Sequence, residues 1–325
     1  MTSLSKIVVV SIWDNIKMFK AIAVAGFIIL AAASSYNNAN PAKTDLIPFN
    51  VDSRFISLAR NTLANPLSGL SAQVAKFSVD GLIQYALLLQ PEGDVPESGW
   101  PVIIFNHGFH PDPFNNGRRS IDGINDRPGD YYRQIPQALA RQGFLVVAPD
   151  YRGHNDSEGA KFTLQEGSPH WYARDVLGVI AALDSTDRAN MEHLFMLGHS
   201  MGGHVTLIVA AALGDRLQGS SIWSVSLPSA ATNSVLESEL TLSSQLQLGR
   251  ISGPMNIHHA KDDPTTAFEG SAAIAQKLEW LGKTTKLYQY LSENHLFTGD
   301  NLQRAIRRDV ELFRRIMKLQ DRPQD

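Results

Sequence analysis

The chain contains no cysteine among its 325 residues. Disulfide bonds, a thiol nucleophile, a cysteine-based zinc site and a lipid-modified N-terminal cysteine are therefore excluded. A marked excess of either charge is also missing, because 29 Lys and Arg residues face 32 Asp and Glu residues. A net charge of −3 argues against nucleic acid as a partner, since nucleic-acid-binding domains are usually strongly basic.

An apolar run long enough to span a membrane is missing as well. The apolar residues 21–33 follow three lysines and precede small and polar residues. This order is typical of a secretory signal peptide, and the run is shorter than the ~20 residues of a transmembrane helix. We expect residues 1–48 to be a signal peptide, or alternatively a membrane anchor, plus a linker. The product would be exported or anchored, and residues 49–325 would form the folded domain.

Strand-like and helix-like segments alternate along that domain. Residues 74–89 resemble a β-hairpin with an Asp80-Gly81 turn. Later segments alternate short apolar runs with helical periodicity, which predicts an α/β fold with a doubly wound, mostly parallel sheet flanked by helices. Residues 54–70 show no clear pattern, residues 222–227 alternate in polarity and are predicted as a strand, and residues 228–250 are interpreted as a small cap. Such sheets carry their sites at the carboxyl ends of the strands.

The segment Gly198-His199-Ser200-Met201-Gly202-Gly203 has the pattern G-x-S-x-G. An apolar, strand-like run precedes it and a helix-like run follows it, which is the context of a nucleophile elbow. In such a turn the serine hydroxyl is exposed at the apex. The alternative is a glycine-rich turn with an incidental serine, and the strand and helix on either side favour the elbow. The sequence therefore predicts Ser200 as a nucleophile.

A serine nucleophile needs a histidine base and an acid that orients it. In proteins with this elbow the chain order is Ser, then Asp or Glu, then His. No histidine lies beyond His295, so the order predicts His295 as the base. Asp262 and Asp263 both follow a predicted strand, and the pattern alone leaves both open. The neighbouring His258 and His259 would point to opposite faces of that strand, so no metal site is expected.

Several motifs together resemble the α/β-hydrolase superfamily. They are Asn106-His107-Gly108-Phe109, the run Asp150–Gly159, the elbow, and the loops of Asp262 and His295. Within the superfamily the chain looks most like the catalytic domain of prolyl oligopeptidases and dienelactone-hydrolase-like esterases. The resemblance extends from Asp80 to the C-terminus, and residues 49–325 are expected to form the catalytic domain.

The resemblance also bears on individual residues. It implies Asp262 as the acid, four residues after the histidine of a His-Gly pair. His259 stands where that family usually has glycine, which keeps Asp263 as the alternative. An oxyanion hole is expected from the backbone N–H of Met201, next after the nucleophile, and the family pattern places the second N–H at Phe109.

We therefore expect a serine hydrolase that cleaves carboxylic esters through an acyl-enzyme intermediate, without cofactor or metal. Its partner would be a small-molecule ester or a short peptide, not nucleic acid, with possible membrane association through the N-terminal segment. One alternative is a serine peptidase of the prolyl-oligopeptidase type, although the chain lacks the large propeller domain of those enzymes. A second alternative is a non-catalytic binding protein with the same fold.

Overall fold

The structure is a computed structural model, described here for residues 51–60, 69–110, 113, 132–163, 168–227, 246–291 and 294–320. Within these residues one sheet has nine strands in the order β1-β2-β3-β5-β4-β6-β7-β8-β9. The strands are β1 Phe55–Arg60, β2 Leu70–Val79, β3 Leu82–Pro91, β4 Trp100–Asn106, β5 Leu145–Asp150, β6 Ala189–His199, β7 Gly219–Trp223, β8 Met255–Ala260 and β9 Thr285–Tyr290. The α-helices are α1 Gln134–Ala140, α2 Ser168–Leu183, α3 Met201–Leu213, α4 Phe268–Trp280 and α5 Gly299–Gln320.

The pairing of the strands changes once across the sheet, from antiparallel to parallel. β1, β2, β3 and β5 pair antiparallel in turn, and every pairing from β5 onward through β4 to β9 is parallel. The central parallel strands are apolar and buried on both faces, as in residues 102–105 of β4 and residues 145–148 of β5. Continuous apolar strands need helices on both faces to exclude water, and the sequence prediction of a doubly wound sheet is confirmed.

Two hydrophobic layers enclose the sheet. One contains buried side chains of α2, α3 and α4, such as Val176, Val205 and Ile274. The other contains side chains of α1 and α5, such as Leu139 and Phe313. Helices on both faces leave the ends of the strands free of the core, so loops at the carboxyl edge can carry functional groups.

The structure differs from the sequence prediction at three places. Residues 54–70, which showed no pattern, contain β1. A predicted strand at residues 222–227 is in fact β7 at residues 219–223, because Ser224 has a φ of 44° and ends the extended backbone. Of the predicted cap at 228–250, only the end is described, and Leu248–Arg250 form a short 3-10 helix.

The predicted signal peptide lies outside the described residues, so export stays a prediction. Among the residues that are described, no helix combines the length and apolar character that a membrane crossing needs.

An ionic network fastens the predicted hairpin to the parallel part of the sheet. Asp80 sits in the hairpin turn with a φ of 53°, and its carboxylate accepts hydrogen bonds from Arg174 and from Arg152, the latter at 3.0 Å. Arg152 is buried and pairs with Asp175 at 2.7 Å. The hydrogen bond from Arg174 is the largest of the effects that lower the pKa of Asp80 to about 2. The hydrogen bond from Arg152 acts in the same direction, and burial opposes both.

We expect Asp80→Asn to lower the free energy of unfolding at pH 7 by about 1 kcal/mol, the scale of a partly exposed ion pair. Since the pKa of Asp80 falls from 3.8 to about 2 on folding, the stabilisation is present above pH 4 and is lost as the pH falls towards 2. Urea unfolding at several pH values measures this. The control is Asp187→Asn, at an exposed carboxylate. A difference between wild type and Asp80→Asn that stays constant down to pH 2 contradicts the expectation.

Candidate active site

Ser200 lies at the apex of a strained turn between β6 and α3. Its φ of 55° and ψ of −120° are rare for a residue with a side chain. A Cβ on Gly198 would collide with the carbonyl of Gly202, and a Cβ on Gly202 would collide with the carbonyl of Asn106. Only glycine fits at both positions, and the predicted elbow geometry is present.

The register of the parallel strands brings four loops together at one edge of the sheet. Asn106 at the end of β4 pairs with Gly198, and His199 at the end of β6 pairs with Trp223. Ala260 at the end of β8 pairs with Tyr290 at the end of β9. The loops that follow β4, β6, β8 and β9 carry Phe109, Ser200, the two candidate aspartates and His295.

His295 and Asp263 form a hydrogen-bonded pair at this edge. The Nδ1 atom of His295 lies 2.9 Å from Oδ2 of Asp263; the histidine side chain is 15% exposed and the aspartate is completely buried. Burial alone would raise the pKa of the Asp263 carboxyl. Hydrogen bonds from His259 and His295 outweigh that effect and hold the pKa well below its usual range.

An ionised carboxylate can only accept, so Nδ1 of His295 is the protonated nitrogen. In the neutral ring Nε2 is then left with a lone pair that can accept a proton.

The acid implied by the family pattern is Asp262, but the aspartate that contacts His295 in the structure is Asp263. The side chain of Asp262 is exposed, whereas Asp263 turns inward to the histidine. Asp263 Oδ1 also accepts the backbone N–H groups of Thr265, at 2.7 Å, and Thr266, at 3.1 Å. These two bonds close the turn after β8 around Asp263 and fix its carboxylate beneath His295.

The turn that carries Phe109 is held from three sides. The Tyr151 hydroxyl donates to the His107 carbonyl at 3.0 Å, and the Gly108 N–H donates to the Tyr132 hydroxyl at 2.9 Å. Burial lowers the pKa of His107 to about 4, so its ring is neutral and donates from Nδ1 to the Gly108 carbonyl at 2.9 Å. With the Gly108 N–H already engaged, Phe109 offers the next N–H of the turn.

Ser200 lies directly against this turn. A Cβ added to Gly108 would stand 3.1 Å from the Ser200 Cβ. Met201 begins α3, and the first N–H groups of a helix have no acceptor within the helix. The two N–H groups predicted for an oxyanion hole, those of Phe109 and Met201, therefore belong to segments that flank Ser200.

His199 connects the Gly108 turn to the loop of His295. Burial is the main cause that lowers the pKa of His199 to about 3, so the ring carries one proton at neutral pH. Its Nε2 lies 2.9 Å from the His295 carbonyl, which can only accept, and its Nδ1 lies 2.7 Å from the Tyr132 hydroxyl. The bonds therefore run in one direction, from Gly108 N–H through Tyr132 and His199 to the carbonyl of His295.

Sequence analysis did not identify Tyr132, His259 or Thr266 as parts of the site. The Thr266 hydroxyl donates to Asp263 Oδ2 at 2.9 Å and lies 3.3 Å from His295 Nδ1. Tyr132 precedes a short helix far from the elbow in sequence, and no local pattern marks it. The one available signal was at His259, where the chain departs from the family pattern.

The adjacent histidines on β8 lie on opposite sides of the sheet and contact different residues. His258 contacts Tyr290 and Asp309 on one side of the sheet, and His259 contacts Ser271 and Asp263 on the other. In the described part of the chain, no three His, Asp or Glu side chains are grouped as metal ligands.

Known proteins share this architecture. The family model described as serine aminopeptidase, S33, matches residues 121–232. The lysophosphatidylserine lipase ABHD12 of Danio rerio is 26% identical over 233 residues, which are 64% of this chain and 51% of that protein. The chain thus spans about half the length of this curated relative.

Solved structures match more of the chain at lower identity. The acetyl xylan esterase from Paenibacillus sp. R4 is 18% identical with a TM-score of 0.57, over 87% of this chain and 98% of that one. Dipeptidyl peptidase 4 from Porphyromonas gingivalis is 14% identical with a TM-score of 0.53, over 82% of this chain and 35% of that one. The fold is that of the α/β-hydrolases, as the sequence motifs predicted.

We expect Tyr132→Phe to lower the free energy of unfolding by about 3 kcal/mol, because it leaves the Gly108 N–H and the His199 Nδ1 buried without this partner. Urea denaturation measures the change. The matched control is Tyr288→Phe, whose hydroxyl makes no hydrogen bond within the described residues. Equal losses in the two variants would show that the Tyr132 hydroxyl does not hold the turn.

Proposed function

We propose that this protein is a serine hydrolase that cleaves carboxylic esters through an acyl-enzyme intermediate. In this proposal Ser200 is the nucleophile, His295 is the general base and Asp263 orients His295. The backbone N–H groups of Met201 and Phe109 stabilise the oxyanion. No cofactor takes part.

The hydrogen bond of 2.9 Å between His295 Nδ1 and Asp263 Oδ2 is the observation that carries this proposal. It fixes the tautomer in which Nε2 is the basic nitrogen, which is the state required of the base in a Ser-His-Asp triad. The positive φ of Ser200 at the end of β6 supports the same conclusion, since it is the strained backbone of a nucleophile elbow. A merely structural serine turn needs neither feature.

The first half of the reaction acylates the serine. Nε2 of His295 takes the proton of the Ser200 hydroxyl as the oxygen attacks the ester carbonyl carbon, and the negative charge on the former carbonyl oxygen is met by the two N–H groups. When this tetrahedral intermediate collapses, the bond to the alcohol breaks and His295 returns its proton to the departing oxygen. Asp263 stabilises the positive charge that the His295 ring carries between these steps.

The second half repeats these steps with water. His295 takes a proton from water, the resulting hydroxide attacks the acyl carbon, and the carboxylic acid leaves as Ser200 regains its proton. Each oxyanion donor in such a site typically contributes about 3 kcal/mol of transition-state stabilisation. The hydrogen bonds that Tyr132 and Tyr151 make to the Gly108 turn would keep the Phe109 donor in place through both halves.

An apolar acyl group is the substrate feature that the site supports best. Phe109 is 43% exposed, although a phenylalanine is usually buried, and it stands on the turn beside Ser200. The names of two similar proteins, a lysophosphatidylserine lipase and an acetyl xylan esterase, are those of ester-cleaving enzymes. We therefore place esters ahead of amides as substrates.

A serine peptidase acting on short peptides is the second candidate. The matching family model is described as a serine aminopeptidase, and a dipeptidyl peptidase shares the fold. The same triad chemistry cleaves amides and esters, so the distinction lies in substrate binding and leaving group. A non-catalytic binding protein is the third possibility, and a reactive serine would exclude it.

We expect a fluorophosphonate probe to label Ser200 and the protein to hydrolyse p-nitrophenyl esters, with little activity on aminoacyl p-nitroanilides. Ser200→Ala should abolish labelling and lower kcat by at least about 10³-fold, as in other serine hydrolases. Mass spectrometry of the labelled peptide identifies the serine, and initial rates over acyl chains of two to twelve carbons identify the preferred acid.

Three outcomes would redirect the assignment. Faster anilide than ester cleavage indicates the peptidase. A folded protein that neither reacts with the probe nor turns over any substrate indicates the binding protein. Labelling of a serine other than Ser200 overturns the assignment of the nucleophile.

The two adjacent aspartates provide a matched pair of variants. We expect Asp263→Asn to lower kcat by about 10³- to 10⁴-fold, the usual loss for a triad acid, because an amide at this position favours the wrong tautomer of His295. Asp262→Asn should keep kcat within about twofold, since its side chain is exposed at the same turn. Both variants are assayed on one activated ester with kcat and KM determined separately. Loss of activity in Asp262→Asn alone would show that Asp262 is the acid, as the family pattern implies.

A further inference from the structure

The carboxylate of Asp263 receives a second histidine as well as His295. Nε2 of His259 lies 3.3 Å from Asp263 Oδ2, the same oxygen that His295 approaches at 2.9 Å. His259 is completely buried in β8, four residues before Asp263. Asp263 Oδ2 therefore lies between two imidazole rings, so the position of His259 bears on where the carboxylate points.

The protonation of His259 follows from its neighbours. Its Nε2 faces two acceptors, Asp263 Oδ2 and the Thr266 carbonyl at 3.2 Å, so this nitrogen carries a proton whether the ring is neutral or charged. Its Nδ1 lies 2.6 Å from the hydroxyl of Ser271 in α4. The ring also meets Phe268 edge to face, with centroids 5.8 Å apart. Strand, helix and aromatic contact together fix the plane of the ring.

We propose that His259 is a positioning residue of the active site, which holds Asp263 Oδ2 in line with His295 Nδ1. The proposal rests on the triad of the proposed function and adds a member to it. Contacts run from Ser271 to His259, from His259 to Asp263 and from Asp263 to His295. His259 touches no reacting atom, so its effect is transmitted through the carboxylate.

His259→Gln and His259→Phe separate positioning from packing. A glutamine amide can place an N–H near the position of Nε2, and phenylalanine fills the space without a donor. We expect His259→Phe to lower kcat on an activated ester about 10- to 100-fold with KM unchanged, and His259→Gln to recover kcat to within about threefold of wild type. The low-field proton resonance of His295 Nδ1–H should move or broaden in the phenylalanine variant and return in the glutamine variant.

The neighbouring histidine is the control. His258 is equally buried on the same strand, but it contacts Tyr290 and Asp309 and not Asp263. His258→Gln should lower the melting temperature while kcat and the low-field resonance stay as in wild type. The resonance is assigned by its loss in His295→Gln, and its measurement needs no turnover, so it tests His259 even if the ester activity is not found.

Each outcome decides the proposal. A His259→Phe variant with wild-type kcat and an unchanged resonance overturns it. Equal losses in the Phe and Gln variants also overturn it, because they indicate packing and not hydrogen bonding. If His259→Phe does not fold, the deciding variant is Ser271→Ala, which removes the hydroxyl that holds the ring of His259. We expect kcat of this variant to fall about threefold and the His295 resonance to shift. Unchanged values of both would refute the role of His259.

Discussion

The backbone of Ser200, held at a positive φ between β6 and α3, is the constraint on which the site depends. Such a conformation costs on the order of 1–3 kcal/mol for a residue with a side chain and persists only where its surroundings enforce it. Here the Ser200 N–H donates to the Trp223 carbonyl at 2.9 Å, and its carbonyl accepts from Gly203, His204 and Ser226. The neighbouring strand and the first turn of the helix thus fix the residue together.

The strained turn also determines where the other loops must come. Because Gly202 lies against the Asn106 carbonyl, the end of β4 cannot move away from the elbow without leaving a gap. His199 then extends from the turn to the Tyr132 hydroxyl on one side and to the His295 carbonyl on the other. The loops of β4, β6 and β9 are therefore one hydrogen-bonded unit, and preorganisation of this kind is what electrostatic catalysis requires.

Local patterns were sufficient to predict the elbow and to single out His295, since both depend on features that a few residues or the chain order express. They were insufficient to predict which aspartate contacts His295. Spacing alone left Asp262 and Asp263 open, and the family pattern implied Asp262. In the folded chain it is Asp263 that accepts the N–H groups of Thr265 and Thr266 and lies against His259 and His295.

The remaining differences arise from contacts between distant segments. Ser220 and Ser221 are completely buried within β7, so the strand lacks the apolar run that marks its neighbours and was placed too late in the chain. Tyr132 stands 67 residues before His199, and nothing near it in sequence indicates that its hydroxyl bridges two loops. Parallel register, which places the strand ends side by side, is a property of the assembled sheet and not of any single segment.

The histidines of this chain differ in burial and in their hydrogen-bond partners, and these surroundings determine what each ring can do. Burial is the leading cause that lowers the pKa values of five of them, His107, His154, His170, His199 and His204. A histidine that resists protonation is suited to a fixed hydrogen bond or to packing but is a poor base.

Two further histidines have carboxylate partners but no access to solvent, since His258 with Asp309 and His259 with Asp263 are completely buried. His295 combines a carboxylate partner with a ring that is 15% exposed. A proton can therefore enter and leave its Nε2 while the buried carboxylate stabilises the charged ring. That combination is what a general base needs, and the role of His295 as the base stays a prediction.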